Sequence, residues 1–112
     1  MAKHLFFVFS DAVEGKDAAY HDWYQRHIDD ILALPGFTAA QRFARHDLEG
    51  RPTDHGHLVL YELDGEPAEV LAGLRTAVAE GKLERPDPSC VAPGLRSFVY
   101  TPIGERQLGR DG

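Results

Sequence analysis

The chain is short of cysteine and of basic residues, and both shortages narrow what the protein can be. It has 112 residues and a single cysteine, Cys90, so an internal disulfide is excluded and a reducing compartment is expected. Twelve Lys and Arg stand against 18 Asp and Glu, a formal net charge of −6. We therefore expect no nucleic-acid binding, which requires a basic surface, and no polyanionic substrate.

Long apolar runs are also absent from the sequence. The apolar stretch at residues 5–9 is too short to span a bilayer, and the small-residue cleavage pattern of a signal peptide does not follow it. We therefore expect a cytoplasmic protein without membrane association. With 43% hydrophobic residues the chain can form a core, and its length predicts one domain over residues 1–103 with a flexible tail at 104–112.

The order of the predicted elements defines the fold class. Patterns of apolar residues predict strands at 3–10, 37–46, 55–63 and 96–103, and helices at 16–34 and from Pro67 to Gly81. A polar turn at 47–54 joins the second and third strands. This β-α-β-β-α-β order is the ferredoxin-like split motif, an α+β fold in which two helices cover one face of a four-stranded antiparallel sheet.

The first predicted strand is apolar on both faces. Alternation along the strand places Leu5, Phe7 and Phe9 on one side and His4, Phe6 and Val8 on the other. The helices can cover only one of these faces. The other face needs a different cover, most simply a second copy of the chain, so we expect a homodimer formed through the sheet.

The first predicted helix carries a histidine in its apolar stripe. At 100° per residue, His27 and Ile31 lie within about 20° on either side of Tyr20, with Trp23 and Tyr24 close by. A buried imidazole without a partner costs about 1–3 kcal/mol, and burial favours the neutral form that a general base requires. The alternative is a structural histidine that bonds a backbone carbonyl or a tyrosine.

Other polar residues leave alternatives open. Asp30 can orient the His27 ring or pair with Arg26 one turn earlier. His4 and His57 begin neighbouring antiparallel strands, so we expect them toward opposite ends of a pocket. His55 and His57 have the spacing of two metal ligands, but no third ligand is evident, and we expect a solvated strand end rather than a metal site.

Residues 82–95 form a long connection that contains three prolines. Such loops often form lids or rims of binding sites, and the alternative is an arm that packs on a partner subunit. Cys90 lies in this loop without an obvious activating base, so we expect it to be inert.

Residues 23–37, WYQRHIDDILALPGF, together with the order of the elements, resemble the dimeric α/β-barrel superfamily and, within it, the EthD-like proteins. The residues that match the EthD-like pattern are Trp23, Tyr24, His27, Asp30, Leu32, Pro35, Gly36 and Phe37. The sequence departs from the family at Asp29, where EthD-like proteins often have proline.

A second resemblance is to plant polyketide cyclases of the olivetolic acid type in the same superfamily. KHLFFVF and HLVLYEL are similar to their first and third strands, each of which opens with a histidine, here His4 and His57, and FVYTP is similar to their last strand. The catalytic tyrosine and histidine near the second helix of those cyclases have no counterpart in AEVLAGLRTAVAEGK.

The resemblance implies a dimeric α/β barrel with a pocket between the sheet and the helices of each subunit. It implies a cofactor-independent lyase, cyclase or dehydratase for a small aromatic or polyketide-like substrate. His27 would remove a proton, Asp30 would hold its ring, and His4, Tyr24 or Tyr61 would stabilise the developing oxygen charge. The residues expected to bind the substrate are Phe6, Tyr20, Trp23, His57, Val59 and Tyr61.

Two other functions fit the same pocket. One is cofactor-free monooxygenation of a phenol or quinol, and the other is a non-catalytic dimer that binds a small molecule. No residue singles out a haem ligand, and neither a cofactor nor a metal is expected.

Overall fold

The computed structural model describes residues 3–48 and 55–110 and contains the six predicted elements in the predicted order. They are β1 (His4–Ser10), α1 (Asp17–Leu32), β2 (Phe37–Ala44), β3 (His57–Leu63), α2 (Pro67–Ala79) and β4 (Arg96–Tyr100). The strands form one antiparallel sheet in the order β2-β3-β1-β4. The ferredoxin-like α+β fold is therefore confirmed. Most of the predicted turn at 47–54 lies outside the described residues.

Several elements end earlier than predicted, for local reasons. Helix α1 stops at Leu32, and its last turn closes with a bond from the Leu34 amide to the Ile31 carbonyl, because Pro35 disfavours helical backbone before it. Strand β4 stops at Tyr100, opposite Leu5, and the next residue, Thr101, contacts β1 through its side chain, with Oγ1 2.7 Å from His4 Nδ1. Pro67 is at the start of α2, as predicted.

The core lies between the sheet and the helices. Its most buried side chains come from α1 and β3, with Tyr20, Tyr61 and Leu63 almost inaccessible. Pairing of His4 with Leu63 and of Ser10 with His57 confirms that His4 and His57 lie at opposite ends of the paired strands. No helix within residues 3–48 and 55–110 has the length and apolar character that crossing a membrane requires.

The opposite face of the sheet is covered by no element among the described residues. This open face carries the outward side chains of all four strands, including Phe43 and a group of aromatic residues whose rings contact one another: Phe7, Phe9, Phe98 and Tyr100. Phe43 is 40% exposed and Tyr100 is 57% exposed. The tail at 101–110 is exposed and has no helix or strand, and its predicted flexibility stays a prediction.

Gly36 joins α1 to β2 at a point where no side chain fits. Its φ of +89° lies in the left-handed region, and its carbonyl accepts the Asp64 amide at 2.8 Å. A Cβ here would lie 2.5 Å from a Val70 methyl on α2. The α1–β2 turn therefore packs directly against the second helix.

We expect Gly36→Ala to lower the free energy of unfolding by roughly 2–4 kcal/mol, because it combines backbone strain with overpacking against Val70. Gly15→Ala is the matched control, since Gly15 also has positive φ, +79°, but a Cβ at that position would meet nothing within 4 Å. Urea unfolding of both variants measures the difference. Equal losses in the two variants would show that the Val70 contact contributes nothing.

Candidate active site

A chamber of about 270 Å³ lies between the sheet and the two helices. Its aromatic wall consists of Phe6, Trp23, Tyr24 and Tyr61. Aliphatic side chains from both helices and the 82–95 loop complete the wall, and the polar lining residues are His27, Glu84, Arg85 and Ser97. The volume is just below the usual range for drug-sized ligands, so the chamber suits a small guest.

His27 lies in the wall of this chamber, held by helix α1. Its ring stacks on the Trp23 indole with centroids 4.3 Å apart and planes inclined by 20°. Nδ1 is buried and has no hydrogen-bond partner among the described residues, whereas Nε2 is not buried. His27 is therefore no structural histidine tied to a carbonyl or a tyrosine within the described chain. Nε2 is the nitrogen that can exchange protons.

The 82–95 loop forms one side of the chamber. The Trp23 indole N–H donates to Glu84 Oε2 at 3.0 Å, which ties the loop to α1. Further along, the Val13 amide bonds the Cys90 carbonyl and the Ala92 amide bonds the Asp11 carbonyl, both at 2.9 Å. The loop therefore forms part of the chamber rim, and the expected packing on a partner subunit stays a prediction.

Electrostatic effects on His27 oppose one another. Burial lowers the pKa of the imidazole below its usual 6.5, and the negative charges of Asp30 and Glu84 only partly counter this. Asp30 is exposed and makes neither a hydrogen bond to His27 nor an ion pair with Arg26 within the described residues. It can therefore act on the ring through its charge alone. The neutral base form of His27 prevails at neutral pH.

An outer polar depression adjoins the chamber at the same histidine. It is lined by Arg26, His27, Asp29, Asp30 and Glu84. His27 and Glu84 line both spaces, so they separate the apolar interior from the acidic outer surface.

Two tyrosines line the chamber, and burial raises the pKa of both, so Tyr24 and Tyr61 remain protonated at neutral pH. The Tyr24 hydroxyl interacts with Ser10, which contacts Tyr20 and is not a residue of the chamber wall. The Tyr61 hydroxyl has no hydrogen-bond partner within the described part of the chain, although the residue is 1% exposed. It is therefore free to bond a guest.

Tyr20 and His57, expected to bind substrate, lie outside the chamber wall. The Tyr20 hydroxyl is 2.5 Å from Ser10 Oγ, and its ring is 5.0 Å from that of His57. Arg42 covers the Tyr20 ring at 5.8 Å. Val59, also expected there, is a core residue absent from the wall. Ser10, Tyr20, Arg42 and His57 therefore form a cluster that is separate from the chamber wall.

His4 also lies away from the chamber wall. It is half-buried at the start of β1, and its Nδ1 is 2.7 Å from Thr101 Oγ1. The structure therefore brings His27, Tyr24, Phe6, Trp23 and Tyr61 together at one cavity and leaves His4 at the end of the sheet.

The sequence also raised a possible metal site at His55 and His57 and a possible reactive cysteine, Cys90. His55 Nε2 is 2.8 Å from the Gly94 carbonyl oxygen. Within residues 3–48 and 55–110, no group of three or more His, Cys, Asp or Glu side chains could hold a metal ion. Cys90 is buried, and burial raises the pKa of its thiol, which agrees with the expectation of an inert cysteine.

Glu84 was not among the residues that the sequence indicated for the site, and neither were the chamber residues of α2. Leu74 and Val78 line the chamber, and both lie on the apolar face that the helical spacing of α2 defines. The proline-rich character of residues 82–95 indicated a rim, but nothing in the local pattern singled out Glu84.

The stability of the protein is expected to depend on pH, because the imidazoles of His27 and His57 are partly buried. Burial lowers the pKa of His27 and of His57, so in the pH range below 6.5 the unfolded chain takes up protons that the folded chain does not. We expect the free energy of unfolding to fall between about pH 7.5 and pH 5.5, and less steeply in His27→Gln than in the native chain. Urea unfolding at both pH values measures this.

The exposed His46 provides the control for this prediction. His46→Gln should keep the native pH dependence. An identical slope in His27→Gln and the native chain would mean that the imidazole is not desolvated. Asp11 does not interfere: burial disfavours its ionisation, but amide bonds from Gly56 and His55 outweigh this and lower its pKa below 3.8, outside the tested range.

The solved structures that share this fold include the following two. A protein described as a "putative monooxygenase" from Shewanella loihica PV-4 has a TM-score of 0.54 and 18% identity, covering 96% of this chain and 99% of that protein. A protein of unknown function from Nitrosomonas europaea has a TM-score of 0.55 and 15% identity, covering 97% of each chain. No family model and no curated protein matches the sequence. At these identities the likeness establishes the fold alone.

Proposed function

We propose that the protein is a cofactor-independent lyase, cyclase or dehydratase that acts on a small aromatic or polyketide-like molecule, with His27 as the general base. The observation that carries the proposal is the His27 imidazole in the wall of an aromatic chamber of about 270 Å³, where neither ring nitrogen has a hydrogen-bond partner among the described residues. The EthD-like pattern around His27 and the position of the chamber agree with this function.

The chemistry begins with removal of a proton next to a carbonyl by His27 Nε2. Because burial keeps the imidazole neutral, the base form is present at neutral pH. The negative charge that develops on the carbonyl oxygen needs a hydrogen-bond donor, and the protonated hydroxyl of Tyr61, a residue of the same wall, can donate one. The aromatic side chains hold the ring of the substrate and exclude water.

The second candidate is cofactor-free monooxygenation of a phenol or quinol. The described function of the Shewanella loihica protein favours it, although the likeness is one of fold. The first step is the same, because His27 would deprotonate the substrate. The resulting anion would then react with molecular oxygen, so turnover would consume oxygen.

A screen of phenols, quinols and short polyketide mimics, run in air and under argon, distinguishes these functions. Turnover under argon supports the lyase or cyclase, and turnover that requires air with matching oxygen uptake supports the monooxygenase. Binding of several compounds without turnover of any would leave a non-catalytic binding protein. That last result would contradict both catalytic proposals.

We also propose that the protein is a homodimer formed through the open face of the sheet. Both helices lie on the other side, and the open face presents contiguous aromatic rings to solvent. A concavity of about 620 Å³, lined in part by Phe9, Phe43, Arg96 and Phe98, lies on the same face. It is larger than the chamber, but its aromatic lining belongs to the face that no helix covers, and we assign it to the subunit contact. Two such faces together would make the dimeric α/β barrel.

A further inference from the structure

We propose that Glu84 is the positioning residue of this site: it holds the Trp23 indole flat against the His27 ring and turns its carboxylate charge toward the same ring. The inference rests on the proposed role of His27 as base. Glu84 was not among the residues that the sequence pattern indicated.

The first support is a chain of contacts. Glu84 Oε2 accepts the Trp23 indole N–H at 3.0 Å, and the indole and imidazole centroids are 4.3 Å apart with their planes inclined by 20°. Trp23 is 3% exposed, so its N–H would be left without a partner in an apolar environment if Glu84 were absent. Because the stacking partner is fixed by Glu84, so is the plane of the imidazole.

The second support is the position of Glu84 between two spaces. Glu84 and His27 both line the apolar chamber and both line the outer acidic depression. When His27 takes a proton from a substrate, a positive charge forms in a largely desolvated position. A carboxylate that faces the ring stabilises that charge, while its bond to Trp23 keeps it from turning away.

Other charged groups around the ring do not replace Glu84. Asp30 acts on His27 from α1 through its charge, but it is exposed and makes no hydrogen bond within the described residues that would fix its position. The other ionisable groups that line the two spaces are Tyr24, Arg26, Asp29, Tyr61 and Arg85. The strands β1 and β4 and helix α2, all within the described residues, contribute no ionisable side chain to the chamber wall.

Two substitutions separate the two roles of Glu84. Glu84→Gln keeps an oxygen that can accept the indole N–H but removes the charge, whereas Glu84→Ala removes both. Glu80→Gln is the matched control, because Glu80 carries the same charge four residues earlier, where it pairs with Lys82 at 3.0 Å. All variants are studied in the full-length chain.

The primary measurement needs no substrate. An NMR titration follows the imidazole of His27, and the Trp23 indole proton reports its hydrogen bond. We expect Glu84→Gln to lower the pKa of His27 while the indole signal stays near its native position. Glu84→Ala should lower the same pKa and also shift the indole signal and speed its exchange. Glu80→Gln should change neither.

With a substrate from the screen, Glu84→Gln should lower kcat roughly tenfold with little change in KM. The acid limb of its pH–rate profile should move to lower pH, together with the NMR titration. An unchanged His27 titration in both Glu84 variants would overturn the inference, as would an unchanged indole signal in Glu84→Ala.

Failure of the proposed function gives a different result. If His27→Gln retains full turnover while the Glu84 variants still shift the His27 titration, the positioning contact stands and the role of His27 as base is wrong. If His27→Gln loses turnover while the Glu84 variants leave the titration unchanged, the base stands and Glu84 is a wall residue only.

Discussion

Replacing His27 with glutamine is expected to lower kcat by about 10²–10⁴-fold on a substrate identified by the screen, with a much smaller effect on KM. Glutamine has a polar side chain of similar reach but no basic nitrogen. Because Trp23 stacks on the flat ring, the planar amide can take much of its place, and the chamber should keep its shape. The loss would therefore fall on the chemical step rather than on substrate binding.

The stability of the same variant separates catalysis from structure. Nδ1 of His27 is buried without a hydrogen-bond partner in the described chain, so its removal should cost little stability at neutral pH. A structural histidine would behave in the opposite way, with a lower melting temperature and retained activity. His27→Ala adds a cavity and should melt lower than His27→Gln. Full activity in both variants would eliminate His27 as the base.

The pH dependence of the native enzyme is a companion to this experiment. A base must be unprotonated, so kcat/KM should fall as the pH drops through the His27 pKa. Burial places that pKa below 6.5, so activity should remain level through neutrality and decline only on the acid side. The exposed His46, changed to glutamine, should leave this profile unaltered.

The apolar pattern of α1 predicted which side chains face the sheet, but not which of them reach the chamber. The angular position of a residue around a helix follows from local periodicity, so this pattern correctly grouped Trp23, Tyr24 and His27. Tyr20 shares their direction, yet it lies seven residues before His27, about 10.5 Å along the axis. There it meets Ser10 and the other end of the sheet. The apolar pattern of a helix therefore specifies which side of the helix a residue faces, but it does not specify which part of the sheet that residue contacts.

The same limit explains the histidines on the strands. Alternation along β3 places His57 on the same face as Tyr61, but four residues along a strand span about 13 Å. His57 therefore lies at the far end of β3, away from the chamber. Its neighbours there are Tyr20 and His21, with ring centroids 5.0 and 5.4 Å away.

Glu84 could not be predicted from sequence because its role depends on a contact over 61 residues. An acidic residue before Arg-Pro in a polar loop is ordinary, and only the folded chain brings it to Trp23. The fold itself was easier to predict, since each strand and helix carries its own periodicity. The sequence also indicated that the helices would leave one apolar face of β1 uncovered, because that strand is apolar on both sides.

Changing Phe98 to aspartate is expected to weaken dimerisation roughly 10³-fold. Phe98 lies on the open face at the edge strand, opposite Phe7 in the β1–β4 pairing, with its ring 6.2 Å from that of Phe9. A carboxylate at this point would be buried without a partner in the proposed interface. In the single subunit Phe98 is already 41% exposed, so the fold itself should tolerate the change.

Sedimentation velocity over a range of protein concentrations measures the effect. Leu32→Asp is the matched control, because Leu32 is 36% exposed on helix α1, which lies on the opposite face of the sheet. The control should remain dimeric, and circular dichroism should show that both variants stay folded. If the native chain sediments as a monomer at all concentrations, or if Phe98→Asp remains as dimeric as the control, the open face is not the subunit contact. In that case the proposed chamber is unaffected, because all of its lining residues belong to one subunit.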